Sequence, residues 1–209
     1  MKVLIADDHD IVRHALRDIL AEVLGRPTIG EAADSRQACV LLMEQTWDLV
    51  LLDINMPGRS GLEVLAEARR LHPDTPVLVL TAYPEEEFAL RAFKLGASGY
   101  LNKQHAAEEL VAAVNKVLSG GKYVTASLAE RLAASLGGQV EQSPHEALSN
   151  RELQVLRLVA SGKTIKEIAA ELALSEKTVG TYRARIAQKL GLGSNVELTR
   201  YAIRHKLVD

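Results

Sequence analysis

The sequence predicts an α/β fold, a doubly wound five-stranded parallel sheet, followed by a small all-α domain. Three observations predict it. The runs VLIA (3–6), LVLL (49–52) and VLVL (77–80) are continuously apolar, as strands are when both sheet faces are covered. Amphipathic patterns separate them, giving five β–α repeats with right-handed crossovers and helices on both faces. Beyond residue 148 the strand patterns cease and the charge balance reverses.

Taken in order, strands are expected at 2–6, 28–32, 49–53, 77–81 and 98–101. Helices are expected at 9–24, 35–45, 61–71, 85–95 and 106–119. Residues 125–136 (TASLAERLAASL) read as helical, and 137–147 (GGQVEQSPHEA) are small, polar and Pro/Gly-containing, as linkers are. This divides the chain into a first domain at 1–120, a helical segment and linker at 121–147, and a second domain at 148–209. Four helices are expected in the second domain, at 150–160, 165–172, 176–190 and 195–205. Ser149 with Glu152, Thr164 with Glu167 and Ser194 with Glu197 each fit the capping box, in which hydroxyl and carboxylate satisfy helix N-terminal amides. Gly162 and Gly191 stand where helices should stop.

A length of 209 residues permits one or two domains. With 47% apolar and 25% charged residues the composition is that of a soluble globular chain. Apolar runs fall far short of the roughly 18 residues a membrane span needs, so no membrane is expected among the partners. The first residues turn acidic after a short apolar run, unlike a signal peptide. Cys39 is the single cysteine, which excludes an internal disulfide and fits a reducing cytoplasm. Residues 1–148 hold 14 Lys+Arg against 21 Asp+Glu, whereas 149–209 hold 11 against 6. Any nucleic-acid contact is therefore expected in the last third.

In the first domain, polar residues stand where strands end. Asp7 and Asp8 follow strand one, Asp53 ends strand three, Thr81 ends strand four and Lys103 lies past strand five. In an open α/β sheet these ends share one edge, where ligands bind. A lone aspartate at a strand end is usually a cap, but five such residues on one edge form a site. Three converging carboxylates repel unless a cation joins them. A hard divalent ion with oxygen ligands resolves this, and Mg²⁺ is the natural choice beside a phosphate. The fitting chemistry is phosphoryl transfer to a carboxylate, with Asp53 as nucleophile, Lys103 as compensating ammonium and Thr81 as a hydroxyl for a phosphoryl oxygen.

At IADDHD (5–10), LLDINMPGRSG (51–61), VLTA (79–82) and GASGYLNK (96–103) the chain resembles the receiver domain of response regulators. The resemblance covers about residues 1–120. It implies a flavodoxin-like sheet of order 2-1-3-4-5, Mg²⁺ held by Asp8, Asp53 and the backbone carbonyl of Asn55 with Asp7 beside it, and a sensor histidine kinase as donor. It also implies that Tyr100 is a switch aromatic that moves as Thr81 engages the phosphoryl group. Lys103 is followed by Gln104, where many receivers carry proline.

In the second domain, 164–172 and 176–190 are joined by a tight turn at 173–175, a helix-turn-helix. On the second of these helices Val179, Ile186 and Leu190 share one face. Lys177, Thr181, Arg185 and Gln188 lie opposite, with Thr178 at the edge, as suits the major groove. Arg183, Lys189 and Lys166 are placed for phosphates. LSNRE (148–152), GKTIKEIAAEL (162–172), SEKTV (175–179) and KLGL (189–192) resemble the LuxR-type DNA-binding domain of NarL/FixJ regulators, over about residues 146–208. Tyr182 joins the expected DNA contacts, and the last helix corresponds to a dimerisation helix, with Val196, Thr199, Arg200 and Ile203 as candidate contacts. Gly180 stands where many relatives carry a base-contacting lysine.

The expected function is a two-component response regulator: phosphorylation of Asp53 controls dimerisation and DNA binding, and thereby transcription. It is not an enzyme in the usual sense, although the receiver takes part in its own phosphoryl transfer and dephosphorylation. Expected partners are DNA at paired half-sites, a sensor histidine kinase, a second copy of the chain when phosphorylated and, as a further candidate, RNA polymerase. Two other readings use the same residues. One is an aspartate-nucleophile phosphohydrolase, against which the chain offers no cap domain. The other is a phosphate-independent regulator whose first domain is only a dimer scaffold.

Overall fold

A computed structural model describes residues 1–83, 85–104, 106–126, 128–130, 133 and 143–208, the side chains of 86, 87, 106 and 107 excepted. The chain divides into two units, Met1–Gln139 and Val140–Asp209.

In the first unit β1 (Lys2–Ala6), β2 (Thr28–Ala32), β3 (Leu49–Leu52), β4 (Val77–Thr81) and β5 (Gly99–Asn102) form one sheet of order β2-β1-β3-β4-β5. Every pairing is parallel, with Ala6 level with Ala32 and Leu52, and Thr81 level with Asn102. The helices are α1 (Asp10–Leu24), α2 (Ser35–Glu44), α3 (Gly61–Leu71), α4 (Glu85–Lys94) and α5 (Ala106–Leu118). Alternate strand residues Val3, Ile5, Leu49, Leu51, Leu78 and Leu80 pack with Leu16 and Leu20 of α1 and Leu110, Val114 and Val117 of α5. The residues between them, Leu4, Val50 and Val79, are equally buried. Burial on both faces is why these strands read as unbroken apolar runs. Strand three stops one residue before Asp53, and strand five starts and ends one residue later than expected, because Ser98 joins the turn and Asn102 completes the ladder with Thr81.

The first unit continues past residue 120. Tyr123 bridges Gly99 in parallel, and its amide donates to the Ser98 carbonyl at 2.9 Å. The Thr125 hydroxyl donates to Glu85, and Leu128 is buried. Of the expected helix 125–136, residues 126, 128–130 and 133 are helical and Thr125 is not; residues 127, 131, 132 and 134–136 and linker residues 137–142 lie outside the described residues.

The second unit holds α6 (Asn150–Ala160), α7 (Ile165–Glu171), α8 (Glu176–Leu190) and α9 (Asn195–Arg204), preceded by a 3-10 turn at Pro144–Ala147. Ser149/Glu152 and Thr164/Glu167 form complete capping boxes. At α9 Ser194 Oγ accepts from the Glu197 amide, but the Glu197 carboxylate reaches back to the Gly193 amide at 2.7 Å, one residue earlier than the motif specifies. The end of the expected linker is structured: the His145 amide donates to the Tyr201 hydroxyl of α9 at 3.1 Å.

Candidate metal centre and nucleic-acid interface

The C-terminal edge of the sheet gathers the acidic residues. Asp7 leaves β1 with its amide bonded to the Ala32 carbonyl at 3.0 Å, and Asp53 leaves β3 with its amide bonded to the Ala6 carbonyl at 2.8 Å. Oxygens of Asp7, Asp8 and Asp53 and a ring nitrogen of His9 lie within 4.8 Å of one another. Lys103, held by its amide to the Thr81 carbonyl at 2.9 Å, places Nζ 2.6 Å from both Asp7 Oδ2 and Asp53 Oδ2. Asp53 Oδ1 accepts the Asn55 amide at 2.9 Å.

Electrostatics match the geometry. Asp7 and Asp53 are each 2% exposed. Burial first, then the neighbouring Asp53 and Asp7 charges, push the Asp8 carboxyl above its ordinary range, although His9 opposes this. Burial works against the Lys103 ammonium, but Asp53 and Asp7 outweigh it and hold its pKa up. Asp8 Oδ1 is buried without a hydrogen-bond donor. The His9 ring lies 2.8 Å from that oxygen, outside hydrogen-bonding alignment. Such an orphaned oxygen among three clustered carboxylates fits a hard divalent cation.

The backbone around Asp53 is tightly built. A Cβ on Gly61 would collide with the Asp53 carbonyl oxygen and stand 2.6 Å from the Ile54 α-carbon, so α3 starts directly against the end of β3. Thr81 is fully buried. Tyr100 is fully buried too, and its hydroxyl donates to the Tyr83 carbonyl at 2.9 Å.

In the second unit α7 and α8 form the helix-turn-helix. Val179 and Ile186 are buried, while Leu190 is only half-buried. Lys177, Thr181, Arg185 and Gln188 are exposed, Thr178 and Tyr182 half-buried. The Thr178 amide caps onto Ser175 Oγ at 3.1 Å, and the Thr181 hydroxyl donates to the Lys177 carbonyl at 3.0 Å. Nothing lies within 4 Å of a Cβ built on Gly180. On α9 Val196 and Ile203 are exposed, at 63% and 53%.

Residues 3–115 match the response regulator receiver domain, and residues 146–202 match the bacterial regulatory proteins of the luxR family. The response regulator GacA of Pseudomonas aeruginosa is 40% identical over 210 residues, covering all of this chain and 98% of the relative. The response regulator UvrY of Escherichia coli K12 is 38% identical, covering all of this chain and 96% of the relative. The chain is a response regulator of the NarL/FixJ family. RcsB of Salmonella enterica serovar Typhimurium, solved bound to promoter rprA with the phosphomimetic BeF3−, superposes with a TM-score of 0.64 at 29% identity over 96% of this chain and 97% of that one. A LuxR-family two-component response regulator from Aurantimonas sp. SI85-9A1 gives a TM-score of 0.59 at 33% identity over 65% of this chain and 96% of that one. This regulator thus joins a receiver to a LuxR-type DNA-binding domain and acts in transcription. Among the described residues no helix is long and apolar enough to cross a membrane.

The structure brings together Asp7, Asp8, Asp53 and Lys103 of this response regulator as the sequence predicts. Thr81 reaches the same edge through its backbone bond to Lys103. Lys189, expected at phosphates, is committed elsewhere: its ammonium lies 2.7 Å from Glu152 Oε2 and 3.2 Å from the Ala147 carbonyl, bracing α8 against α6. Arg183 leans toward Asn195 Oδ1 at 3.4 Å, and Lys166 is exposed. His9, not among the residues expected at the site, joins the carboxylate cluster through Nδ1, 3.1 Å from Asp7 Oδ1. Its adjacency to Asp8 was the available signal. Tyr83 was also missed; it stands two residues after Thr81.

Proposed function

We propose that Asp53 accepts a phosphoryl group from a sensor histidine kinase, and that the modified receiver then favours a dimer whose paired α8 helices bind DNA half-sites. The observation that carries this reading is the Lys103 ammonium 2.6 Å from Asp53 Oδ2 and Asp7 Oδ2, beside the Asp8 Oδ1 that is buried without a hydrogen-bond donor.

In the transfer, a carboxylate oxygen of Asp53 bonds to phosphorus as the bond from phosphorus to the kinase histidine breaks, and the histidine nitrogen keeps the electron pair. Lys103 neutralises charge on the phosphoryl oxygens. Asp8, Asp53 and the Asn55 backbone carbonyl, with Asp7 beside them, would hold Mg²⁺, which supplies further charge neutralisation there. The Thr81 hydroxyl turns toward a phosphoryl oxygen, and Tyr100 moves with it. A phosphoryl group adds about −1.5 to −2 charges.

Lys177, Thr178, Thr181, Tyr182 and Arg185 of α8 face base edges, while Arg183 and Lys166 take phosphates. Lys189 joins them only by leaving Glu152. Val196, Thr199, Arg200 and Ile203 of α9 supply the dimer contact, so that half-sites lie about one helical turn apart. A coupling of about 1–3 kcal/mol between phosphorylation and DNA binding changes affinity about 5–150-fold. RNA polymerase is a candidate partner at the promoter, and the cytoplasm is the compartment that the single cysteine fits.

The test is incubation with Mg²⁺ and acetyl phosphate, followed by intact mass and operator binding. Wild type should gain one phosphoryl mass and bind more tightly; Asp53→Ala should do neither. Equal DNA binding by Asp53→Ala and phosphorylated wild type would refute the mechanism.

A further inference from the structure

Behind the carboxylates lies a buried guanidinium that the phosphoryl chemistry leaves unused. Arg13, in the first turns of α1, is 8% exposed. Its Nη1 donates to the Asp7 backbone carbonyl at 2.7 Å. Its Nε donates to Glu31 Oε2 of β2 at 3.3 Å, and its Nη2 bonds Asp10. Arg17, one turn on, pairs with the other Glu31 oxygen. The Arg13 fork therefore spans the β1–α1 loop, the start of α1 and the neighbouring strand.

The carbonyl it holds belongs to the peptide joining Asp7 to Asp8. A peptide is planar, so fixing its oxygen also fixes the direction of the Asp8 amide and the start of the Asp8 side chain. Asp7 has further anchors: its amide on Ala32, its Oδ1 on the His9 amide at 2.9 Å, and its Oδ2 on Lys103. Asp8 is less firmly held: its Oδ1 is buried without a hydrogen-bond donor, and the His9 ring stands 2.8 Å from it out of hydrogen-bonding alignment. The aim of the Asp8 carboxylate therefore depends on the plane of the peptide before it.

We propose that Arg13 is a positioning residue for the cation site: by holding the Asp7–Asp8 peptide it pre-orients the Asp8 carboxylate toward the divalent ion. This rests on the metal-site reading above. An arginine suits the task because its planar fork engages the carbonyl and Glu31 together, which a lysine ammonium cannot do at one geometry. Losing a group that orients a metal ligand costs about ten- to a hundredfold in metal affinity.

The experiment is a titration of the full chain with Mn²⁺, an ion of the same oxygen-ligand preference, read by the electron paramagnetic resonance of the free ion. Arg13→Met should raise the dissociation constant about tenfold, and Arg13→Lys should recover part of that loss. Phosphorylation by acetyl phosphate should then need correspondingly more Mg²⁺ at half-maximum while keeping its plateau rate. A role in stability alone would lower the melting temperature and leave both midpoints unmoved. An Arg13→Met midpoint within about twofold of wild type overturns the inference. Should that variant fail to fold, Glu31→Ala, which frees the fork from β2, decides: about a threefold shift supports the inference and none overturns it. Wild type that binds no Mn²⁺ would instead overturn the metal-site reading itself.

Discussion

The Tyr83 hydroxyl donates to Asn55 Oδ1 at 3.0 Å, bridging the loop after β4 to the loop after β3. Its ring stacks on Phe88 of α4 with centroids 4.5 Å apart. Its carbonyl receives the Tyr100 hydroxyl. One residue thus joins the Asp53 loop, α4 and the aromatic of β5.

That bridge steadies Asn55, whose amide donates to Asp53 Oδ1 at 2.9 Å. Tyr83→Phe keeps the stack and removes the hydroxyl. A hydrogen bond worth about 0.5–1.5 kcal/mol implies about a two- to tenfold shorter phosphoaspartate lifetime. Loss of the phosphorylated mass with time checks this.

Asp8 predicts a stability gain. Its carboxyl is held above the ordinary range, so its charged form is less favourable folded than unfolded, and at neutral pH that charge destabilises the receiver. Asp8→Asn should raise the melting temperature by a few degrees in EDTA, on the scale of about 1 kcal/mol. Added Mg²⁺ should stabilise wild type and leave the variant unchanged. Thermal melts in EDTA and in Mg²⁺ measure both.

Glu152 predicts acid sensitivity in the second unit. Burial opposes its charge, but the Lys189 ammonium and the Ser149 donors outweigh this and hold its pKa below 4.5. A carboxylate depressed on folding adds stability above its unfolded pKa of about 4.5 and loses it as pH falls through the lower folded value. Glu152→Gln should cost about 1 kcal/mol at pH 7. It should also flatten the loss between pH 5 and 3 expected of wild type, on the scale of about one titrating group. Denaturant melts across that range check it.

On α8, Gly180 sits mid-helix with open space where a side chain would go. Gly180→Ala should stabilise the second unit by about 0.5–1 kcal/mol. Arg185→Ala should weaken operator binding by about 1–3 kcal/mol and relax preference at one base position. Calorimetry and titration of matched and mismatched operators separate the two effects.

The sheet was legible because β1, β3 and β4 are buried on both faces, which leaves short unbroken apolar runs. The acidic edge was legible because Asp7, Asp53, Thr81 and Lys103 each fall at a strand end, where topology alone brings them together. Less was legible where a contact depends on a side chain's direction. Lys189 looks like a phosphate donor until Glu152, a capping residue of another helix, is found beside it. Arg13 reads as one more charge on an amphipathic helix, because its target is a backbone carbonyl, which carries no sequence signal. Tyr123 and Thr125 join the first unit through partners on β5 and α4, contacts that likewise carry no sequence signal.

Gly61 has a consequence for inheritance. Because α3 presses on the carbonyl of Asp53, even one added methyl group must shift the backbone of Asp53. Alleles that silence signalling should therefore arise at this position as readily as at the aspartate itself, though the missense residue never meets phosphorus, and a geneticist mapping them would find a chemical defect caused by crowding.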